Sequence, residues 1–295
     1  MTTVPSHMDF LTFNNKLRHP FNLICSAATQ GGKSHWIAEM LLKKIIYPEP
    51  EKIFYIHAFP SAALETLNCD LNIEFLTAIP DNIAEESFTD KSRPTLIVLD
   101  DQLTSISEDV LNLFIRGTHH LNRSCILTVQ NVFFQNPSMR TISLNAHYIV
   151  LFKQPRDTLQ IETLGRQMYP SQSKLFLAAY KQAVERDYGY LLIDLKSTTK
   201  DCLRLRTDIL GEGYCNWQRV FCIGDSTMEV FVLVPVSEVP GLHIRCTNSD
   251  LANAVSSHQD TGNCIIPKAK SKSRCSSKPR SRKKKTKKNS KKPTR

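Results

Sequence analysis

The sequence predicts an α/β fold, a mostly parallel sheet covered by helices. Three observations predict it. Short runs rich in β-branched and aromatic residues alternate with segments of helical period. The run at 95–99 is apolar throughout, as a strand buried on both faces must be. The runs end in small or polar segments, at 26–34, at Asp100-Asp101 and at Gln130-Asn131. In a parallel sheet such segments share the carboxyl edge, where ligands bind.

Residues 1–20 form a lead-in, and residues 22–25 the first strand. A small-residue loop follows and ends in Gly31-Gly32-Lys33-Ser34. A helix pattern begins at once, with Trp36, Ile37, Met40, Leu41 and Leu42 on one side and Glu39, Lys43 and Lys44 on the other. Strand, loop, Gly-Lys-Ser, helix is the layout of a phosphate-binding P-loop. Ala27, Ala28, Thr29, Gln30, Gly31, Gly32, Lys33 and Ser34 would cradle the phosphates of ATP, chiefly through backbone N–H groups. Lys33 would add a point charge near the β- and γ-phosphates, and the Ser34 hydroxyl would ligate Mg²⁺. Ala27 departs from the pattern, which wants Gly at that position. Ala fits there only at negative φ.

Residues 52–57 form a second strand, broken by Phe59-Pro60-Ser61. Residues 61–94 read as a short helix and a polar connection, with Asp81, Glu85, Glu86 and Asp90 on the surface. The strand at 95–99 ends in Asp100-Asp101. Asp100 would hold Mg²⁺ with Ser34, and Asp101 would polarise the attacking water. A helix over 107–116 takes Ser107 as N-cap and Val110, Leu111, Phe114 and Ile115 as its apolar face. The strand 125–129 ends in Gln130-Asn131, and the Gln130 amide can bond the attacking water or the γ-phosphate. A strand at 148–152 and helices at 158–168 and 171–186 come next. Residues 190–195 and 202–207 read as a hairpin or edge strands, and 220–223 and 228–234 as two strands around a turn at 224–226. Residues 247–267 are polar and loose, and the low-complexity tail from Lys268 is expected to be disordered.

Arg116, Arg123, Arg140, Arg156 and Arg166 are candidates for a charge-stabilising finger, with Arg116 and Arg123 first because they flank the loop before the Gln130 strand. A finger acting in trans requires a ring or other oligomer. Composition narrows the partners. No stretch approaches the roughly 20 apolar residues of a membrane span, so no membrane partner is expected. The N-terminal residues lack a basic and apolar signal pattern. Nine scattered cysteines suit a reducing compartment. A zinc cluster of Cys202, Cys215, Cys222, Cys246 and Cys264 with His243 lacks any C-x₂₋₄-C pair. The net charge of +10 is concentrated in the tail, where 268–295 holds fifteen Lys/Arg and no Asp/Glu. The other 267 residues carry 23 Lys/Arg against 28 Asp/Glu, a net −5. The tail fits a nuclear-localisation signal and phosphate contact with DNA. The expected location is the host nucleus or virion, with a cytoplasmic factory also open.

Five segments together resemble the FtsK–HerA-type genome-packaging ATPases of poxviruses and of Polinton/Maverick and adintovirus-like elements. They are Thr29-Gln30-Gly31-Gly32-Lys33-Ser34; Leu96-Ile97-Val98-Leu99-Asp100-Asp101; Arg116-Gly117-Thr118-His119-His120-Leu121-Asn122-Arg123-Ser124; Leu127-Thr128-Val129-Gln130-Asn131; and Ile149-Val150-Leu151-Phe152-Lys153-Gln154-Pro155-Arg156-Asp157. The resemblance implies a P-loop NTPase with a RecA-like sheet, forming a homo-oligomeric ring that moves double-stranded DNA into a capsid. It also implies that Gln130 is the sensor glutamine beside the Walker B strand, and that capsid proteins are partners. Asp101 stands where Glu is frequent in the wider superfamily. The expected organisation is a lead-in (1–20), an ATPase domain (21–210), an extension with a small β hairpin (211–267) and the basic tail (268–295). Two other functions stay open at this point: a replicative helicase of the same element, and a nucleotide-regulated DNA-binding protein with little turnover.

Overall fold

The computed structural model describes residues 16–58, 71–101, 107–132, 137–211, 218–224, 226–233 and 243–245, with Leu64 and Leu67. The lead-in before residue 16, the stretch 247–267 and the basic tail lie outside the described residues, as do Cys215, Cys246 and Cys264. In chain order the strands are β1 (Leu17–Arg18), β2 (Asn22–Ser26), β3 (Ile46–Tyr47), β4 (Lys52–His57), β5 (Ile73–Leu76), β6 (Thr95–Asp100), β7 (Arg123–Val129), β8 (Tyr148–Phe152), β9 (Tyr190–Asp194), β10 (Leu205–Thr207), β11 (Gln218–Ile223), β12 (Met228–Leu233) and β13 (His243–Arg245). The helices are α1 (Lys33–Leu42), α2 (Glu108–Asn112), α3 (Thr118–His120), α4 (Pro137–Leu144), α5 (Thr158–Met168) and α6 (Ser173–Ala183).

β1 and β3 pair with each other. The other eleven strands form one sheet in the order β13-β12-β11-β10-β9-β8-β2-β7-β6-β4-β5. From β8 to β5 every neighbouring pair is parallel. From β8 outward to β13 every pair is antiparallel. The P-loop strand β2 and the carboxylate strand β6 are separated by β7 alone. The parallel half, covered by helices on both faces, matches a P-loop NTPase-like fold.

Strand alternation sends successive residues to opposite faces, and two cores result. Leu23, Cys25, Leu96, Val98 and Ile126 pack with Trp36, Ile37, Met40 and Leu41 of α1. Ile24, Ile97, Leu99, Cys125 and Leu127 pack on the other face with Val110, Met139, Ile142, Ile161 and Phe176. Helices on both faces explain why β2, β6, β7 and β8 are buried along their whole lengths.

Several elements differ from the sequence reading. Leu42 is 49% exposed, because at about 100° per residue it falls off the stripe of Trp36, Ile37, Met40 and Leu41. The helix after β6 passes from α2 through a π-type segment, Leu113–Gly117, into α3. The wider turn shifts the helical phase, so Leu113 and Phe114 are buried and Ile115 faces out. Ser107 caps α2 by accepting the Val110 N–H at 3.3 Å. Strand β5 and helix α4 were not expected from the sequence. β9 and β10 pair antiparallel as the hairpin reading expected, and they are not edge strands, since β11, β12 and β13 extend the sheet beyond them.

Candidate active site

The loop between β2 and α1 is shaped by two residues in the left-handed region, Gln30 at φ 61° and Gly32 at φ 91°. Ala27 is not among the positive-φ residues and is fully buried, so its Cβ meets no backbone conflict. Position 31 is where a side chain is forbidden. A Cβ there would stand 2.8 Å from the Ala27 Cβ and 2.9 Å from the Ala28 carbonyl oxygen. The loop therefore accommodates Ala at 27 because Gly stands at 31.

Lys33 opens α1 and is buried. Its ammonium curls back to donate to the carbonyls of Ala27 (3.2 Å) and Ala28 (3.4 Å). Ser34 Oγ donates to Asp100 Oδ2 at 2.6 Å. Two further hydroxyls converge on the same carboxylate: Tyr55 donates to Oδ2 at 2.8 Å and Thr128 to Oδ1 at 3.0 Å. Asp100 is thus a buried charge with three donors, the condition under which burial of a carboxylate is tolerable. Burial first, then the charge of Asp100 and the bond given to it, push the Tyr55 hydroxyl far above the usual tyrosine value. Tyr55 therefore remains a donor at every physiological pH. Thr128 Oγ1 also accepts the Asp101 N–H at 2.9 Å, which pins the corner after β6. Asp101 adopts φ 55° and is exposed, a conformation that Asp tolerates better than most residues.

A cavity of about 540 Å³ brings these groups together, lined by Thr29, Gln30, Gly31, Gly32, Lys33, Ser34, His35, Asp100, Asp101 and Tyr188. Ala27 and Ala28 lie behind this wall and meet Lys33 through their carbonyls. Gln130 is also outside the wall, exposed just past Val129, the residue that pairs with Ser26. Its backbone is held by Gln154, whose buried amide donates to the Gln130 carbonyl (3.2 Å) and to Ser26 Oγ (3.3 Å). Beside it, Asn131 Nδ2 donates to Asp157 Oδ2 at 2.8 Å, while Asp157 caps α5 through the Gln160 N–H. The segment after β8 thereby ties the ends of β2, β7 and β8 into one rim.

Of the five candidate arginines, Arg123 requires correction, while Arg140, Arg156 and Arg166 are exposed. Arg123 is fully buried at the start of β7, paired with Thr95 at the amino edge of the sheet. Its guanidinium donates to the carbonyls of Ile83 (3.0 Å) and Glu85 (2.7 Å) and to Thr89 Oγ1 (2.5 Å). A side chain spent in this way at the edge away from the P-loop cannot serve as a finger. Arg116 is exposed. Its neighbours Phe114 and Thr118 bond Asn22, the first residue of β2, so Arg116 also belongs to the amino edge. It cannot reach the site of its own chain. Tyr55, Thr128 and Gln154 were missed as site residues from the sequence. Among the described residues no group of three or more His, Cys, Asp or Glu could hold a metal ion. Any cation here would depend on the Ser34 hydroxyl beside Asp100.

No family model matches the chain, and no curated protein matches it. Among solved structures it is similar to those of the genome packaging NTPase B204 from Sulfolobus turreted icosahedral virus 2, in complexes with AMP, ATP-gammaS and AMPPCP. Identities are 14%, 14% and 13%, with TM-scores of 0.40, 0.39 and 0.39. Each match covers 63% of this chain and 96% of that chain.

Proposed function

We propose that this chain is an ATP-hydrolysing motor that translocates double-stranded DNA and packages a viral or mobile-element genome into a capsid. The observation that carries the ATPase reading is the 2.6 Å contact between Ser34 Oγ and Asp100 Oδ2, made from the P-loop to a strand two places away in the sheet. A hydroxyl and a carboxylate side by side form the hard-oxygen set that suits Mg²⁺. When bound, Mg²⁺ supplies charge neutralisation at the β- and γ-phosphate oxygens.

The chain's own residues do the rest. The loop amides and the N-terminus of α1 direct N–H groups at phosphate oxygens. Lys33 exchanges its two loop carbonyls for phosphate oxygens, a shift within reach of a flexible stem. Tyr55 and Thr128 keep the Asp100 carboxylate aimed at Ser34. Asp101, exposed on the cavity wall, orients the attacking water and accepts its proton. Gln130, at the end of the strand beside β2, senses the γ-phosphate. The DNA part rests on the segments that resemble packaging ATPases and on the fifteen Lys/Arg of the tail. A charge-stabilising arginine supplied by a neighbouring subunit would come from the exposed candidates Arg116, Arg140, Arg156 and Arg166.

The test is steady-state ATPase with and without double-stranded DNA at low salt, on the wild type and on Lys33→Ala. Duplex DNA is expected to raise wild-type turnover, and Lys33→Ala to lower it by roughly a hundredfold or more. A rate indifferent to duplex DNA overturns the motor reading. Stimulation by single strands with strand separation points to a helicase instead.

A further inference from the structure

The cavity wall is polar where phosphate and metal would sit, at Thr29, Lys33, Ser34, Asp100 and Asp101. A nucleotide also carries a flat base, and these side chains give it nothing to stack on. Two rings in the wall do, the imidazole of His35 and the larger phenol ring of Tyr188. Tyr188, in the connection between α6 and β9, lines the same cavity and is 71% exposed. Its backbone lies in the left-handed region at φ 56°. For a bulky residue that is a genuine outlier, of the kind that accumulates at ligand sites. The ring leans over the P-loop. A Cβ on Gly32 would meet its Cδ1 at 2.9 Å and its Cγ at 3.6 Å. The position before Lys33 favours Gly through its φ of 91°, and a side chain there would also displace the ring. An aromatic ring held in solvent against the phosphate loop buries no core, so its placement calls for a ligand.

The geometry points to Tyr188 as the platform on which the base of the bound nucleoside triphosphate stacks, an inference that rests on the P-loop ATPase reading. The phosphates then lie on the loop amides and Lys33, and the base lies against the phenol ring on the β9 side of the loop. The phenol hydroxyl is not required, because stacking uses the ring face.

The test compares a whole nucleotide with its phosphates alone. Binding of AMPPCP and of inorganic tripolyphosphate, each with Mg²⁺, is measured by calorimetry on the full chain as wild type, Tyr188→Ala, Tyr188→Phe and Lys33→Ala. Tyr188→Ala is expected to weaken AMPPCP between about five- and a hundredfold, while its tripolyphosphate affinity stays within about twofold. Tyr188→Phe is expected to match the wild type. Equal losses for both ligands in Tyr188→Ala would make the ring a support for the loop and overturn the proposal, and so would no loss for either. Failure of the underlying reading looks different. The wild type would then bind neither ligand, or Lys33→Ala would weaken neither, and the base platform would fall with it.

Discussion

At the scale of single residues, the pair Ala27 and Gly31 shows how a loop absorbs a departure from its pattern. The methyl group of Ala27 occupies the space a side chain at 31 would need, 2.8 Å from where that Cβ would stand. Ala27→Gly should leave nucleotide affinity within a few-fold of wild type, because position 27 needs no left-handed backbone. Its cost is confined to stability, at about 0.4–1 kcal/mol from the freer unfolded chain. Gly31→Ala should weaken ATP binding by roughly tenfold or more, since the loop must open to admit the methyl group. The double variant should recover only part of that loss, because the Ala28 carbonyl remains 2.9 Å away. Titration calorimetry on the three variants reads the coupling directly. Full recovery would mean that the Ala28 carbonyl moves freely and that the loop is softer than its packing implies.

At the scale of elements, the parallel half of the sheet was legible because β-branched and aromatic runs, helix starts and polar strand ends all agreed. β5 was not, since Ile73, Glu74, Phe75 and Leu76 lie at a half-exposed edge and neither alternate nor form an apolar run. α4 was not, because Pro137–Leu144 contributes only Met139 and Ile142 to the core. In the site, the loop and the acidic pair were visible as contiguous motifs. Tyr55 and Thr128 reach Asp100 through strand register, and Gln154 reaches Gln130 and Ser26 from the segment after β8; the two that lie in recognised segments, Thr128 and Gln154, carry no sign there of what they bond. Arg123 was misread for the same reason. Its position before a strand suggested a finger, whereas the direction of β7 places it at the edge away from the P-loop. Its work is to anchor the stretch before β6 by three hydrogen bonds. Arg123→Lys keeps the charge but cannot reproduce the fork. It should lower stability by about 2–4 kcal/mol in denaturant unfolding and leave turnover per folded molecule near wild type. A variant of full stability with abolished turnover would instead restore Arg123 as a catalytic group.

At the scale of the whole molecule, the antiparallel strands and the basic tail call for opposite treatment in a truncation series. Val220 and Phe221 of β11 are buried, and β11 pairs with β10, whose Arg206 forms a buried ion pair with Asp194 of β9 at 2.9 Å. Ending the chain at 211 would strip that cover and expose a sheet edge beside a buried charge pair, so the product should be destabilised and prone to association. Ending it at 267 removes no described residue of the sheet but fifteen positive charges, leaving a chain of net −5. If about six to ten of those charges neutralise phosphates, the slope of log affinity against log salt should flatten by about five to nine. ATPase activity without DNA should be unchanged, because the described cavity wall is drawn from residues between Thr29 and Tyr188. Duplex binding titrated across salt concentrations on both lengths decides the matter. An unchanged slope would move the DNA contacts onto the acidic body, where they would have to be made by a local cluster of basic residues against the net charge.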